Sequence, residues 1–250
     1  GLCANMEEIM KIAEEYNLFV IEDTAQAIGA SYTYANGTKK KPGTIGNIGT
    51  TSFFPSKNLG CYGDGGAIFT NDDDLAHTIR GIVNHGMYKR YHHDVVGVNS
   101  RLDSIQAAVL RAKLPLLNQY NTTRRNTARK YTQAFAGIEN IITPSGSCAG
   151  QTSICDRCDC HVFHQYTLRI LNSDRDGLVQ HLNDNNIPCG VYYPIPLHNQ
   201  KAYQDSRYND ADFTVTNQLV KEVVSLPMHT ELDDEQINFI TKTIIDFLRK

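Results

Sequence analysis

The order of apolar runs, caps and turn residues predicts an α/β fold followed by a small α+β domain. Two observations carry this. From Asn5 to Asp23 a helical pattern runs into the short apolar stretch Leu18-Phe-Val-Ile21, which ends in Glu22-Asp23. That is a helix-to-strand unit with an acid at the strand's carboxyl end, where open α/β sheets hold their ligands. Gly49 to Phe54 is a second apolar strand, and it runs into Pro55, a single lysine (Lys57) and four glycines between Gly60 and Gly66.

Taken in order, Asn5 and Glu8 form a capping pair before Ile9, Ile12, Ala13 and Tyr16 at helical spacing, and Asn17 closes that helix. Leu18 to Ile21 reads as a buried parallel strand. Asp23 to Ala30 is a tight return, and residues 33–48 are a surface loop or hairpin. A strand at Ala67 to Thr70 precedes a helix capped by Asn71, carrying Leu75, Ile79, Ile82 and Val83 and stopping at His85-Gly86. Ser100 and Asp103 form a capping pair for an amphipathic helix with Leu102, Ile105, Ala108, Val109 and Ala112. Pro115 kinks or ends it, and a second helix with Arg124, Ala128 and Tyr131 follows. The domain boundary is placed there: residues 1–116, then a linking helix and small domain over 117–250. In the second part His161 to Ile170 and Gly190 to Tyr193 read as strands, Asp174 to Asn185 as a helix, and Ile237 to Leu248 as a closing helix.

A chain of 250 residues can bury roughly 70–75% of its unfolded surface. A net charge of -3 argues against a general nucleic-acid binder, which would show a basic face. Membrane spanning is not expected, since no apolar run reaches the roughly 18 residues required. No basic-then-apolar leader opens the chain, and seven cysteines in this length do not make a disulfide framework, so the cytoplasm is the expected location.

A lysine just past a buried strand is either a snorkelling surface residue or a nucleophile, because burial favours its neutral amine. Asp23 is either a cap or surface acid or a functional one. Together with Gln26 and Ser52 these are the residue types that a pyridoxal phosphate enzyme needs: a lysine for the Schiff base and proton shuttle, and a carboxylate that keeps the pyridine nitrogen protonated. A serine with backbone N–H groups at a helix start suits the phosphate.

Val20-Ile-Glu-Asp23-Thr-Ala-Gln26-Ala-Ile-Gly-Ala, Ser52-Phe-Phe-Pro-Ser-Lys57-Asn-Leu-Gly, Gly63-Asp-Gly-Gly-Ala-Ile-Phe-Thr, Asn84-His-Gly and Gly97-Val-Asn99-Ser-Arg101-Leu-Asp-Ser-Ile-Gln-Ala-Ala resemble the DegT/DnrJ/EryC1/StrS sugar aminotransferases, in family order. Tyr193-Pro-Ile-Pro-Leu-His198-Asn-Gln extends the resemblance. It implies a fold-type-I, pyridoxal phosphate-dependent homodimer, its active site shared between subunits, that moves an amino group from glutamate to a nucleotide-linked keto-sugar. Lys57 is then the Schiff-base lysine, Asp23 the pyridinium partner, Gln26 a contact of the ring's phenolic oxygen and Ser52 a phosphate ligand. Asn99 would reach the phosphate bound by the neighbouring subunit. Arg101 would clamp an anionic group of substrate or donor, a structural ion pair being the alternative. Tyr193 and His198 are substrate-side candidates, with a structural tyrosine or histidine as the other reading of each. The last phrase is most similar to enzymes acting at C3 of a UDP-linked sugar in surface-polysaccharide synthesis.

The family's large domain begins well upstream of Gly1, so the chain matches the C-terminal portion of that domain plus the small domain. The expectation is that these residues alone bind the cofactor weakly or not at all. Non-catalytic alternatives are a regulatory or structural relative and an inactive fragment; a dehydrating relative would carry histidine in place of Lys57. One departure from the family is Cys148…Cys155-Asp-Arg-Cys158-Asp-Cys160-His161. It holds zinc-type ligands but a single Cys-x-x-Cys, so an incidental loop or adventitious disulfide stands beside zinc, and no metal is expected.

Overall fold

The computed structural model describes residues 1–144 and 159–249. The chain divides into two compact units: residues 1–122 with 146–164, and residues 123–145 with 165–250. Each is mixed α/β.

In the first unit α1 (Met6–Glu15) starts where the Asn5 side chain accepts from the Glu8 backbone N–H, and Asn17 sits at φ 50° just past its end. Then come β1 (Ile21–Asp23), β2 (Tyr32–Thr33), β3 (Lys39–Lys40), β4 (Ile48–Ser52), β5 (Gly66–Phe69) and α2 (Asp73–Val83). β6 (Met87–Lys89), β7 (His92–His93), α3 (Ser104–Lys113) and the start of α4 (Leu117–Ala134) complete it. The sheet order is β1-β4-β5, with β1 parallel to β4 and β5 antiparallel to it, while β2–β3 is the expected hairpin. Pro115 acts as expected: α3 ends at Lys113, a 3₁₀ turn spans Leu114–Leu116, and α4 begins.

Several expectations need correction. Leu18, Phe19 and Ile21 are exposed rather than buried, and among the described residues β1 is an edge strand paired with β4. Asp72, not Asn71, caps α2, its carboxylate accepting from Leu75 N–H at 2.9 Å. α3 has no side-chain cap bond, and its Ile105 is 75% exposed. The apolar support lies elsewhere: Phe53, Leu59 and Cys61 pack with Leu110 and Leu117 beneath the segment that carries Lys57.

In the second unit β8 (Ile141–Ile142), β9 (Tyr166–Ile170), α5 (Arg175–Asp184), α6 (Thr214–Glu222), β10 (Val223–Leu226) and α7 (Asp234–Leu248) follow one another. The antiparallel order is β10-β9-β8. Tyr166, Leu168 and Ile170 alternate inward along β9, and α5 packs on α7 through a core that includes Leu178, Leu182, Ile240 and Ile244. The strand expected from His161 begins only at Tyr166, and Gly190 makes an isolated bridge to Ser225 instead of opening a strand to Tyr193. Phe163 at φ 43° breaks the extended run. Among the described residues no helix is long and apolar enough to cross a membrane.

Candidate active site

Asp23 pairs with Thr50 in the parallel β1–β4 ladder, so Asp23 and Ser52 lie at the carboxyl ends of neighbouring strands. Strand alternation separates the two acids of β1. Glu22 is buried and accepts from the backbone N–H groups of Gly43 (2.8 Å), Ile45 (2.7 Å) and Gly46 (2.7 Å). Asp23 is exposed, and its Oδ1 accepts from Ala25 N–H at 3.0 Å, leaving Oδ2 without a partner among the described residues. That bond opens the return predicted from the sequence, which Ala27 N–H tightens by donating to the Thr24 carbonyl at 2.9 Å. Gln26 sits half-buried in this turn. A cavity of about 200 Å³ between α1 and β1 has Asp23 and Thr24 in its wall.

β4 then enters the lysine loop. Phe53 N–H donates to the Gly65 carbonyl and Cys61 N–H to the Phe53 carbonyl, both at 2.8 Å, so residues 53–65 close on themselves. Ser52 Oγ accepts from Phe54 N–H at 3.2 Å, which leaves its hydroxyl proton to donate elsewhere. Lys57 is half-buried, and its Nζ makes no hydrogen bond or ion pair among the described residues. The next residue, Asn58, is buried and tied down, donating to Asn121 Oδ1 at 2.7 Å and to the Val162 carbonyl at 3.0 Å.

Asn99 and Arg101 face a different space. Asn99 lies opposite Asn84 in an isolated antiparallel bridge. Its Oδ1 accepts from Arg101 Nε at 3.1 Å, while Arg101 Nη1 donates to Asn84 Oδ1 at 3.4 Å. Both line an open groove of about 1030 Å³ with Thr50, Thr51, Asp64 and Arg80, whose walls include neither Asp23 nor Lys57. In the first unit Asp23 and Ser52 therefore end paired strands, with the Gln26 turn following one and the Lys57 loop the other, while Asn99 and Arg101 line the groove.

In the second unit the His198 ring stacks on Phe213 at 4.0 Å, and its Nε2 lies 3.0 Å from Asp210 Oδ1. Asn199 also donates to that oxygen, at 2.8 Å, and the two bonds hold Asp210 below the usual carboxylate range. Tyr193 is 66% exposed and meets Tyr192 edge-on.

Cys148, Cys155 and Cys158 lie outside the described residues; Cys160 is buried and disulfide-bonded. His161 Nδ1 accepts from Phe163 N–H at 2.9 Å, its ring stacks on Phe163, and burial carries its pKa down to about 3. Among the described residues no three His, Cys, Asp or Glu side chains gather as a metal site would require. Sequence reasoning missed Glu22, Asn58 and Asn121 as organisers of the site. Asn58 could have been suspected from its place beside Lys57, whereas nothing local marks Asn121.

A family model described as the DegT/DnrJ/EryC1/StrS aminotransferase family matches residues 1–245. The chain is 42% identical over 250 residues to a pleiotropic regulatory protein of Geobacillus stearothermophilus, covering 100% of this chain and 63% of that protein. It is 42% identical over 240 residues to the UDP-2-acetamido-2-deoxy-3-oxo-D-glucuronate aminotransferase of Pseudomonas aeruginosa, covering 96% of this chain and 61% of that one. A crystal structure of a DegT DnrJ EryC1 StrS aminotransferase from Brucella abortus superposes with a TM-score of 0.86 at 39% identity, covering 100% of this chain and 62% of the other. The chain thus spans 61–63% of the length of these proteins.

Proposed function

Because the chain belongs to the DegT/DnrJ/EryC1/StrS aminotransferase family, we propose that the full-length protein is a pyridoxal phosphate-dependent aminotransferase acting on a nucleotide-linked keto-sugar. The observation that carries this reading is the half-buried Lys57 amine without a partner among the described residues, placed beyond the strand end that neighbours Asp23. A snorkelling lysine would also leave its amine to solvent, so it is the company of Asp23, Gln26 and Ser52 in family order that tips the reading.

The residues present fit the cofactor. Asp23 Oδ2 is available to accept from a pyridine N–H, the Ser52 hydroxyl can donate to a phosphate, and the Gln26 amide can donate to a phenolic oxygen. When bound, the cofactor supplies an electron sink for the carbon that carries the amino group. The chain's own task is then positional and acid–base. Asp23 holds a proton at the ring nitrogen, Lys57 Nζ takes and returns a proton at the substrate carbon, and the closed 53–65 loop fixes where that amine starts. Asn99 would contact a phosphate held by a second copy, Arg101 an anionic group, and Tyr193 and His198 the sugar. Glutamate as donor, a homodimer and a UDP-linked 3-keto-sugar complete the reading. The sugar is supported by the likeness to the Pseudomonas enzyme named for a UDP-linked 3-oxo sugar; glutamate and the homodimer follow from the family resemblance of the motifs alone. The residues before and after position 116 would be the large-domain portion and the small domain.

A regulatory role is the second reading, favoured by the Geobacillus relative's description. Retention of Lys57, Asp23 and Gln26 together weighs against it. Incubating the full-length protein with glutamate and a panel of UDP- and dTDP-keto-sugars tests the proposal. Amination that needs pyridoxal phosphate and is lost in Lys57→Ala is expected; no amination of any sugar, or amination that survives Lys57→Ala, would sink it.

A further inference from the structure

Asn121, in the first turns of α4, is 1% exposed and bonds two segments far from it in sequence. Its Oδ1 accepts from Asn58 Nδ2 at 2.7 Å, and its Nδ2 donates to the Ile28 carbonyl at 3.2 Å. Asn58 immediately follows Lys57. Ile28 lies two residues beyond Gln26, in the return that Asp23 opens. One amide therefore spans the loop that bears the candidate nucleophile and the turn that bears its candidate partners.

The turn comes close to that amide. Gly29 has φ +83°, and a Cβ there would lie 2.5 Å from Asn121 Nδ2, so the approach requires glycine on steric and backbone grounds. On the other side Asn58 is held twice more, through its donation to the Val162 carbonyl at 3.0 Å and through His164 Nδ1, 3.2 Å from its Oδ1. Packing of Phe53, Leu59 and Cys61 on Leu110 and Leu117 holds the loop down without fixing its register. Hydrogen bonds are directional, and the Asn58–Asn121–Ile28 chain supplies that register.

We propose that Asn121 is a positioning residue of the active site, setting through Asn58 where Lys57 leaves the backbone relative to the Gln26 turn. This rests on the reading of Lys57 as the reacting amine. Asn121 touches neither substrate nor cofactor in this role, so activity alone is an insufficient measure.

The test compares Asn121→Ala, Asn58→Ala and the double variant in the full-length protein. In the cofactor-free form, acetylation of Lys57 by acetic anhydride is read by peptide mass spectrometry against the exposed Lys201. The expected result is a change of about three-fold or more in the Lys57:Lys201 ratio for each single variant. In the holoenzyme a kcat loss on the order of 10–100-fold is expected, with the amino-donor KM held within about two-fold and the double variant no worse than either single. If Asn121→Ala does not fold, Asn121→Asp carries the same measurements, because it keeps the acceptor for Asn58 and loses the donation to Ile28. A folded variant with unchanged Lys57 labelling and unchanged kcat, or single effects that multiply in the double variant, would overturn the proposal. Turnover that survives Lys57→Ala would instead overturn the reading of Lys57, while the labelling comparison would still decide whether Asn121 places that side chain.

Discussion

Glu22 and Asp23 are consecutive acids on β1 that face opposite sides of the strand: Glu22 is 7% exposed and accepts from three backbone N–H groups, and Asp23 is exposed with one oxygen open among the described residues. Period-two alternation makes one a structural anchor for the 43–46 loop and turns the other outward, where the proposed function would use it.

Glu22→Gln should destabilise the protein by about 1–3 kcal/mol, because the new amide N–H₂ must face at least one of the three donors and leaves it unsatisfied. Urea unfolding at neutral pH measures this. A midpoint equal to that of the parent would show that the 43–46 loop does not depend on the carboxylate.

Asp23→Asn should behave in the opposite way. The exposed side chain still offers an oxygen to Ala25 N–H, so the unfolding midpoint should hold. Sugar amination by the full-length protein should fall by about 100-fold or more, since a neutral amide cannot keep a pyridine nitrogen protonated. Parallel unfolding and turnover assays on one preparation check both halves, and unimpaired turnover would remove Asp23 from the site.

His161 should give a pH dependence whose sign follows from its burial. Burial lowers its pKa from 6.5 to about 3, so the folded imidazole stays neutral while the unfolded chain takes up a proton below 6.5. The unfolded state binds more protons between those values, and this contribution to stability is present above pH 6.5 and lost as the pH falls toward 3. His161→Asn keeps an acceptor for Phe163 N–H and should flatten stability across that window, as measured by denaturant midpoints at successive pH values. An unchanged slope would contradict the burial of a neutral ring.

In the second unit Tyr131 is fully buried, donates to the Pro227 carbonyl at 3.0 Å and packs against Phe135 and Tyr166. Tyr131→Phe should cost about 0.5–1.5 kcal/mol, the worth of one hydrogen bond, and Tyr131→Ala several-fold more through the cavity. Equal losses in the two variants, by calorimetry or urea, would mean that the ring packing contributes little.

Local signals were legible where short-range chemistry decides the outcome. Asn5 caps α1 and Asn17 follows its end, Asp174 and Asn185 bracket α5, and Pro115 falls where α3 gives way to a 3₁₀ turn. Each depends on a backbone N–H, a φ angle or a missing donor within a few residues. Strand extents were not legible. The apolar run at Leu18–Ile21 predicted burial, yet Leu18, Phe19 and Ile21 are exposed; β10 directly follows α6 and is defined by its antiparallel pairing with β9. Apolar content cannot reveal which face of a strand finds a partner.

What the sequence by itself determined was the inventory and its order: an acid ending one strand, a serine ending the next, a lysine in a glycine-rich loop, and the motifs of a single family. What only the tertiary structure decided was which of two adjacent acids is buried, that Lys57 Nζ has no protein partner among the described residues, and that Asn58, Asn121 and Ile28 meet. The reason is physical. Caps and turns are set by forces acting over a few residues, whereas burial and buried amide contacts join segments that become neighbours only once the sheet and α4 have packed.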